Sequence, residues 1–255
     1  MSKAGRPIST MRRAGRRTPR TAIPGAALRA VALGAALWAL PAMTAAAADK
    51  ADTLKARCLE KGPEGDWRSC EVALKALPGD LAVRRQLGFA LLINGTDYDR
   101  AVLIFRRIVR DHPDSADSHY ELSAVLGTLN RFVEAERPVL KALELAPDHR
   151  KALQLATIVY GHLKQPERAL PYTRTLAERG DRLAMFDMAQ HYEAGQIVPR
   201  DPALAVTWFE RAAAKGHIAA MDRLSEIHLE GLLDQPVDRD QGVLWATRAR
   251  AARKE

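Results

Sequence analysis

The sequence predicts an all-α protein in which helical hairpins stack on one another as a solenoid. Two observations support this prediction. Three alanines, Ala101, Ala135 and Ala169, recur at intervals of 34 residues, a spacing typical of proteins built from repeated helical hairpins. No segment shows the alternation of β-branched and polar side chains that predicts a strand, so we expect roughly twelve helices.

The first 48 residues have the composition of a secretory leader. They contain eight Lys or Arg and no Asp or Glu, and their last 19 residues, 30–48, are uncharged and end in four alanines. A basic segment, a short apolar stretch and small residues are the three parts of a signal peptide. We therefore expect a signal peptide at residues 1–48, cleaved near Ala48, and a periplasmic or secreted mature chain. The alternative is an inner-membrane anchor formed by residues 30–48, which approach the length that spans a bilayer.

The leader also accounts for the excess positive charge. The whole sequence has a formal net charge of +8, and the eight basic residues of the leader supply all of it. The mature chain is then formally neutral, which argues against nucleic acid as a partner. After cleavage we also expect no stable insertion into a membrane.

Residues 49–78 are expected to form an N-terminal capping hairpin, since a stack of repeats needs an atypical end to cover its apolar face. Helices are predicted near residues 52–59 and 67–77, with a glycine- and proline-rich turn between them. Cys58 and Cys70 lie one on each helix. In an oxidising compartment we expect a disulfide between them, and the alternative is two separate buried thiols. No metal site is expected, because no His or third Cys is near.

Residues 79–180 resemble tetratricopeptide repeats. The resemblance rests on the alanines described above, which mark second helices, and on residue pairs that mark first helices: Leu87-Gly88, Leu122-Ser123 and Ala156-Thr157. The small member of each pair is expected to face an alanine, which lets the two helices approach closely. Pro113 and Pro147, also 34 residues apart, are expected to end second helices. The resemblance implies a right-handed superhelical solenoid.

Residues 181–255 resemble Sel-one-like repeats, which are related hairpins with a longer internal loop. Gly195 and Gly231 are 36 residues apart, and two further pairs, Asp201/Asp238 and Trp208/Trp245, are 37 apart. The segment from Trp208 to Gly216 is similar to the family pattern W-Y-x-K-A-A-x-x-G. Asp201 and Asp238 are expected to cap the second helices of these hairpins.

Motifs that would indicate catalysis are missing. The sequence contains no nucleophile elbow, phosphate-binding loop or dinucleotide motif, and its seven histidines are scattered without metal-ligand spacing. In the triplet His191-Tyr192-Glu193 the tyrosine occupies an aromatic position of the Sel-one-like pattern, so packing explains it better than a site. We therefore expect no enzyme activity, no catalytic residue, no metal and no cofactor.

The tetratricopeptide resemblance implies that first helices line a concave wall. Its register selects a groove for a protein or peptide partner, made of Arg85, Phe89, Ile93, Tyr120, Ala124, Thr128, Gln154, Ile158 and His162. Aromatic and aliphatic residues in such a groove suit an extended or helical peptide, with Phe89 and Tyr120 as anchors. The alternative is that Phe89 and Ile158 pack between neighbouring repeats.

The function that these observations predict is that of an exported scaffold for protein or peptide binding in the cell envelope. Envelope assembly, secretion and polysaccharide export are the settings we expect. One alternative is a regulatory or substrate-presenting subunit of an envelope complex. Another is a catalytic envelope protein such as a hydrolase, against which the missing nucleophile motif argues.

Overall fold

The structure, a computed structural model, describes residues 45–60 and 62–254. Within these residues the chain forms twelve α-helices, one 3-10 helix and no strand, which confirms the predicted all-α class. Each α-helix packs mainly on the one before it and the one after it, as in a solenoid. Residues 1–44, which hold nearly all of the predicted signal peptide, lie outside the described residues.

A short capping hairpin precedes five regular hairpins, each made of a first and a second helix. The cap consists of α1 (Ala45–Leu59), a 3-10 turn (Gly62–Glu64) and α2 (Trp67–Ala76). The five hairpins pair α3 (Leu81–Ile93) with α4 (Tyr98–Asp111), α5 (Ala116–Thr128) with α6 (Phe132–Leu145), α7 (Arg150–His162) with α8 (Pro166–Glu178), α9 (Arg182–Ala194) with α10 (Pro202–Ala214), and α11 (Ile218–Glu230) with α12 (Arg239–Ala252).

The cap contains the predicted disulfide. Cys58 and Cys70 are bonded, their Cα atoms are 4.6 Å apart, and both side chains are buried in the first apolar cluster of the stack. The described part of α1 already includes Ala45, upstream of the expected start near Asp52, because its first four residues are alanines, which favour helix strongly. None of the described helices is long and apolar enough to cross a membrane.

Polar side chains set where the first helices begin. The residue just before each one, the N-cap, accepts a hydrogen bond from a backbone N–H of the first turn, which satisfies a donor that has no partner within the helix. These residues are Asp80, Ser115, His149, Asp181 and His217. Asp201 and Asp238 cap the second helices α10 and α12, as the sequence predicted. Positions in a helix are counted below from the N-cap residue, which is position 0.

The two helices of each hairpin cross at small residues. Position 8 of the first helices holds Gly88, Ser123, Thr157, Ala189 and Ser225, and position 4 of the second helices holds Ala101, Ala135, Ala169, Ala205 and Gly242. All five position-4 residues are buried. The Ser123 hydroxyl donates a hydrogen bond to the backbone oxygen of Ala135 over 2.8 Å, and the Ser225 hydroxyl donates equally to that of Gly242. Contacts from side chain to backbone of this kind require the helix axes to lie close together.

Two of these crossings differ from the sequence prediction. At Gly88 the neighbour is the Phe105 ring, one atom of which would lie 2.6 Å from an added Cβ, so the ring of the second helix fills the space. The Thr157 hydroxyl donates to the backbone oxygen of Gln154 in its own helix, over 2.7 Å, rather than across the hairpin. The third hairpin therefore has a hydroxyl at position 8 that does not donate across the crossing.

The longer loops of the last two hairpins resemble each other in how they begin and end. Gly195 and Gly231 end α9 and α11 with φ of 67° and 71°, a left-handed conformation that glycine adopts without strain. The chain then folds back, and the amide of Asp201 donates to the Tyr192 carbonyl over 2.9 Å, as that of Asp238 does to the His228 carbonyl over 2.8 Å. These bonds place the two capping aspartates at the starts of α10 and α12.

Candidate functional site

The side chain at position 5 of three first helices contacts the N-cap residue of the next first helix. The pairs are Tyr120 with His149, whose ring centroids are 5.1 Å apart, Gln154 with Asp181, with the amide nitrogen 2.8 Å from the carboxylate, and Phe186 with His217, with ring centroids 4.4 Å apart. Arg85 occupies position 5 of α3 and donates instead to the Glu121 carboxylate of α5 over 2.7 Å. Position 5 thus joins successive repeats.

Asp181 is the most strongly held of these N-cap residues. Its buried carboxylate accepts hydrogen bonds from Arg150 and Gln154 of the preceding repeat and from the amides of Leu183 and Ala184. Burial alone would raise the pKa of Asp181, but these donors, with Arg150 the strongest, hold it below its usual range. The carboxylate is therefore ionised at neutral pH and couples two repeats electrostatically.

At other junctions between repeats, burial also shifts the pKa of two groups. Burial raises the pKa of Glu121, although its partner Arg85 opposes the shift. Burial, together with the charge of Arg182, lowers the pKa of His217. A neutral imidazole is what this N-cap needs, because its Nδ1 atom accepts a hydrogen bond from the amide of Ala220.

Side chains at position 13 of the first helices face solvent, as does that of Ile158 at position 9 of α7. Ile93 and Ile158 are 55% and 52% exposed. Thr128 and His162 are also exposed; the former donates to the Ala124 carbonyl, and the latter stacks on Phe132 with ring centroids 3.9 Å apart. Leu183, at position 2 of α9, is another exposed aliphatic residue of the first helices, with 59% of its surface accessible.

The nine residues expected to form a groove thus play different parts. Arg85, Tyr120 and Gln154 join repeats, and half-buried Phe89 packs edge-on against Phe105 of its own hairpin, with centroids 4.8 Å apart. The half-buried Ala124 contributes its carbonyl to Thr128, and the remaining four, Ile93, Thr128, Ile158 and His162, are exposed. Their role in binding stays a prediction. Leu183 was missed, although counting from the N-cap aspartate of its helix would have found it.

The opposite side of the stack, formed by second helices, carries two grooves. One, of about 990 Å³, lies between α4 and α6, and the other, of about 350 Å³, lies between α6 and α8. Each is lined by a proline within a helix, Pro138 in α6 and Pro171 in α8. Neither groove was predicted from the sequence, although a proline within a helix, which removes a backbone hydrogen bond, is visible there.

Within the described ranges, no group of His, Cys, Asp and Glu is arranged to hold a metal ion. The triplet His191-Tyr192-Glu193 is used structurally: Tyr192 packs against the core, Glu193 pairs with Arg223 of the next first helix, and burial lowers the pKa of His191. This bears out the interpretation of the triplet as packing.

Comparison with known proteins identifies the C-terminal hairpins. Residues 182–217 and 218–252 match the Sel1 repeat family, so the chain carries two Sel1 repeats. No curated protein sequence is significantly similar to the chain.

Solved structures show the same fold at low sequence identity. A Sel1 repeat protein from Oxalobacter formigenes is 22% identical, with 81% of this chain and 88% of that one covered and a TM-score of 0.52. The protective antigen c5321 of uropathogenic Escherichia coli is 20% identical over 81% of this chain and 50% of its own, with a TM-score of 0.54. YrrB, described as a tetratricopeptide repeat protein with an unusual peptide-binding site, is 17% identical over 74% and 95%, with a TM-score of 0.52.

These comparisons support a helical-repeat scaffold. Sel1 and tetratricopeptide repeats commonly bind proteins or peptides and are typically not catalytic. The fold prediction, a solenoid that combines the two repeat types, is confirmed.

Replacing Asp181 tests the junction between repeats. Asp181→Ala should lower the free energy of unfolding by about 2 kcal/mol, because it removes an N-cap and leaves Arg150 and Gln154 without their acceptor. Asp201→Ala is the matched control: it removes only a cap, and should cost about 1 kcal/mol. Urea denaturation measures both.

The same variant has a defined pH dependence. A carboxylate whose pKa is lowered on folding contributes stability above its unfolded-state pKa, which is ordinarily 3.8, and loses that contribution as the pH falls through the folded-state value. The difference between wild type and Asp181→Ala should therefore be full at neutral pH and shrink below about pH 4. Equal stability of the Asp181→Ala and Asp201→Ala variants at neutral pH would show that Asp181 does not stabilise the contact between repeats.

Proposed function

We propose that this chain is an exported, non-catalytic scaffold that binds a segment of a partner protein on the wall formed by its first helices. One observation carries the proposal: the residues that join repeats and the apolar residues that face solvent occupy different positions of these helices. Position 5 makes the junctions, whereas Ile93, Ile158 and Leu183 remain more than half exposed. Aliphatic side chains on one side of a rigid stack are suited to bury apolar groups of a partner.

The cell envelope is the setting we propose. The leader composition of residues 1–48 supports export, and the Cys58–Cys70 disulfide is typical of proteins that fold in an oxidising compartment. Envelope assembly, secretion and polysaccharide export remain the candidate pathways, and the identity of the partner decides among them.

A photo-crosslinking amino acid at Ile158 identifies the partner in living cells. With that partner purified, the double variant Ile158→Ser and Leu183→Ser should weaken its binding by more than about 2 kcal/mol, the scale of interface anchors. Because both side chains are exposed, the unfolding curve should stay near that of the wild type. Phe89 and Tyr120 are poorer test positions, since each also packs against its own stack.

The control for this experiment is Val243→Ser. Val243 lies on the last helix, α12, and is 59% exposed, so it matches the loss of an exposed aliphatic side chain without touching the wall. Binding that survives the double variant, or that falls equally with Val243→Ser, would refute the wall as the binding surface.

The N-terminus of the protein recovered from cells tests export. Residues 46–50 are exposed, and Ala51 is buried, so among the residues whose burial is described, cleavage near Ala48 removes no buried side chain. We expect the periplasmic protein to start between Ala46 and Lys50. Recovery of the chain from membranes with Met1 still in place would instead indicate the uncleaved anchor.

A further inference from the structure

The groove between α4 and α6 has an apolar floor. Leu122 and Leu126 of α5 lie at its base, flanked by Val109 of α4 and Leu140 of α6. Its volume of about 990 Å³ is at the upper end of the range found for small-molecule pockets, and it is open along the side formed by second helices. Val133, at one end of α6, lines it and is 76% exposed. An aliphatic ligand would thus cover surface that water now contacts.

A proline of α6 contributes to this groove. Pro138 lies in the middle of this helix and lines the groove. A proline at this position has no amide hydrogen to donate to the Glu134 carbonyl one turn earlier. The neighbouring groove repeats the arrangement with Pro171 of α8, and Leu140 lines both. Two successive second helices thus each contain a proline that lines a groove.

The charged side chains around the groove differ in whether they already have a partner. Three carboxylates line it, and each already has a cation: Glu134 pairs with Arg106 and Arg131, Glu136 with Arg168, and Glu144 with Lys141. Arg137 also lines the groove, is exposed, and makes no ion pair or hydrogen bond within the described residues. An entering cation would find no free carboxylate and would be repelled by Arg137. An entering carboxylate would find a free guanidinium, which binds it through two parallel hydrogen bonds.

We propose that this groove binds an aliphatic segment of a partner protein that carries a carboxylate side chain opposite Arg137. The floor takes the aliphatic side chains, and Arg137 sets the charge that is accepted. The groove is lined mainly by second helices, and the exposed wall residues Ile93, Ile158 and Leu183 are not among its lining residues, so the two surfaces share none of these residues. The scaffold has room for a second segment while the wall is occupied.

Three synthetic peptides test the charge preference. They share one pattern of leucine and valine and carry Glu, Gln or Lys at the same two positions, and fluorescence anisotropy with the purified chain measures their binding. The Glu peptide should bind at least about fivefold more tightly than the Gln peptide, and the Lys peptide most weakly. The preference should shrink as salt rises from about 50 to 500 mM, because exposed charges are screened.

Substitutions within and outside the groove show where the peptides bind. Arg137→Glu should reverse the order so that the Lys peptide binds best, and Val133→Asp should weaken binding of the Glu peptide most. Arg174→Glu is the matched control, since Arg174 is exposed on α8 and does not line the groove. Both test positions are exposed, so the circular-dichroism spectrum should not change.

The remaining outcomes overturn the proposal. Equal binding of the three peptides, or binding of none, excludes the charge preference, and an equal effect of Arg137→Glu and Arg174→Glu excludes the groove as its source. Binding that Ile158→Ser abolishes and Arg137→Glu leaves intact assigns the peptides to the first-helix wall. That last result would overturn the groove while leaving the proposed function standing.

Discussion

The close approach of the two helices within each hairpin is the constraint on which the rest of the structure depends. It is met where position 8 of the first helix and position 4 of the second are both small, and serine hydroxyls that donate across the hairpin to Ala135 and Gly242 show how near the backbones lie. The same positions serve in the tetratricopeptide-like hairpins and in the Sel1 repeats, although their loops differ in length. The two repeat types therefore stack in one continuous solenoid.

Contacts between hairpins combine a shared apolar core with a few longer polar and aromatic side chains. Tyr120, Gln154 and Phe186 each reach the cap of the next first helix, so one N-cap residue both starts a helix and receives the preceding repeat. Position 13 of α3 and position 9 of α7 are left to present Ile93 and Ile158 to solvent. On the other side, two successive second helices contain prolines that line the grooves. The scaffold thus offers two separate surfaces built on one register.

The sequence predicted the features that depend on spacing. Small residues 34 apart gave the hairpins, and the paired cysteines gave the bridge in the cap. Spacing assigns a residue to a face of a helix, but it does not tell whether a long side chain on that face bends toward the next repeat. That is why Tyr120 and Gln154 were grouped with Ile158, although only the last is exposed. The groove at Pro138 was not predicted for a related reason: its floor is formed by α5, whereas its sides are formed by α4 and α6.

Small residues at the helix crossings hold both repeat types together, and the stability of leucine variants measures this. Ala135→Leu and Ala205→Leu each place a larger side chain at a fully buried crossing position, one in each repeat type, and each should lower the free energy of unfolding by about 1–3 kcal/mol. Ala214→Leu, at an exposed position of the same helix as Ala205, should change it by less than about 0.5 kcal/mol. Urea denaturation curves of all three variants that coincide with the wild-type curve would show that the crossings do not require small side chains.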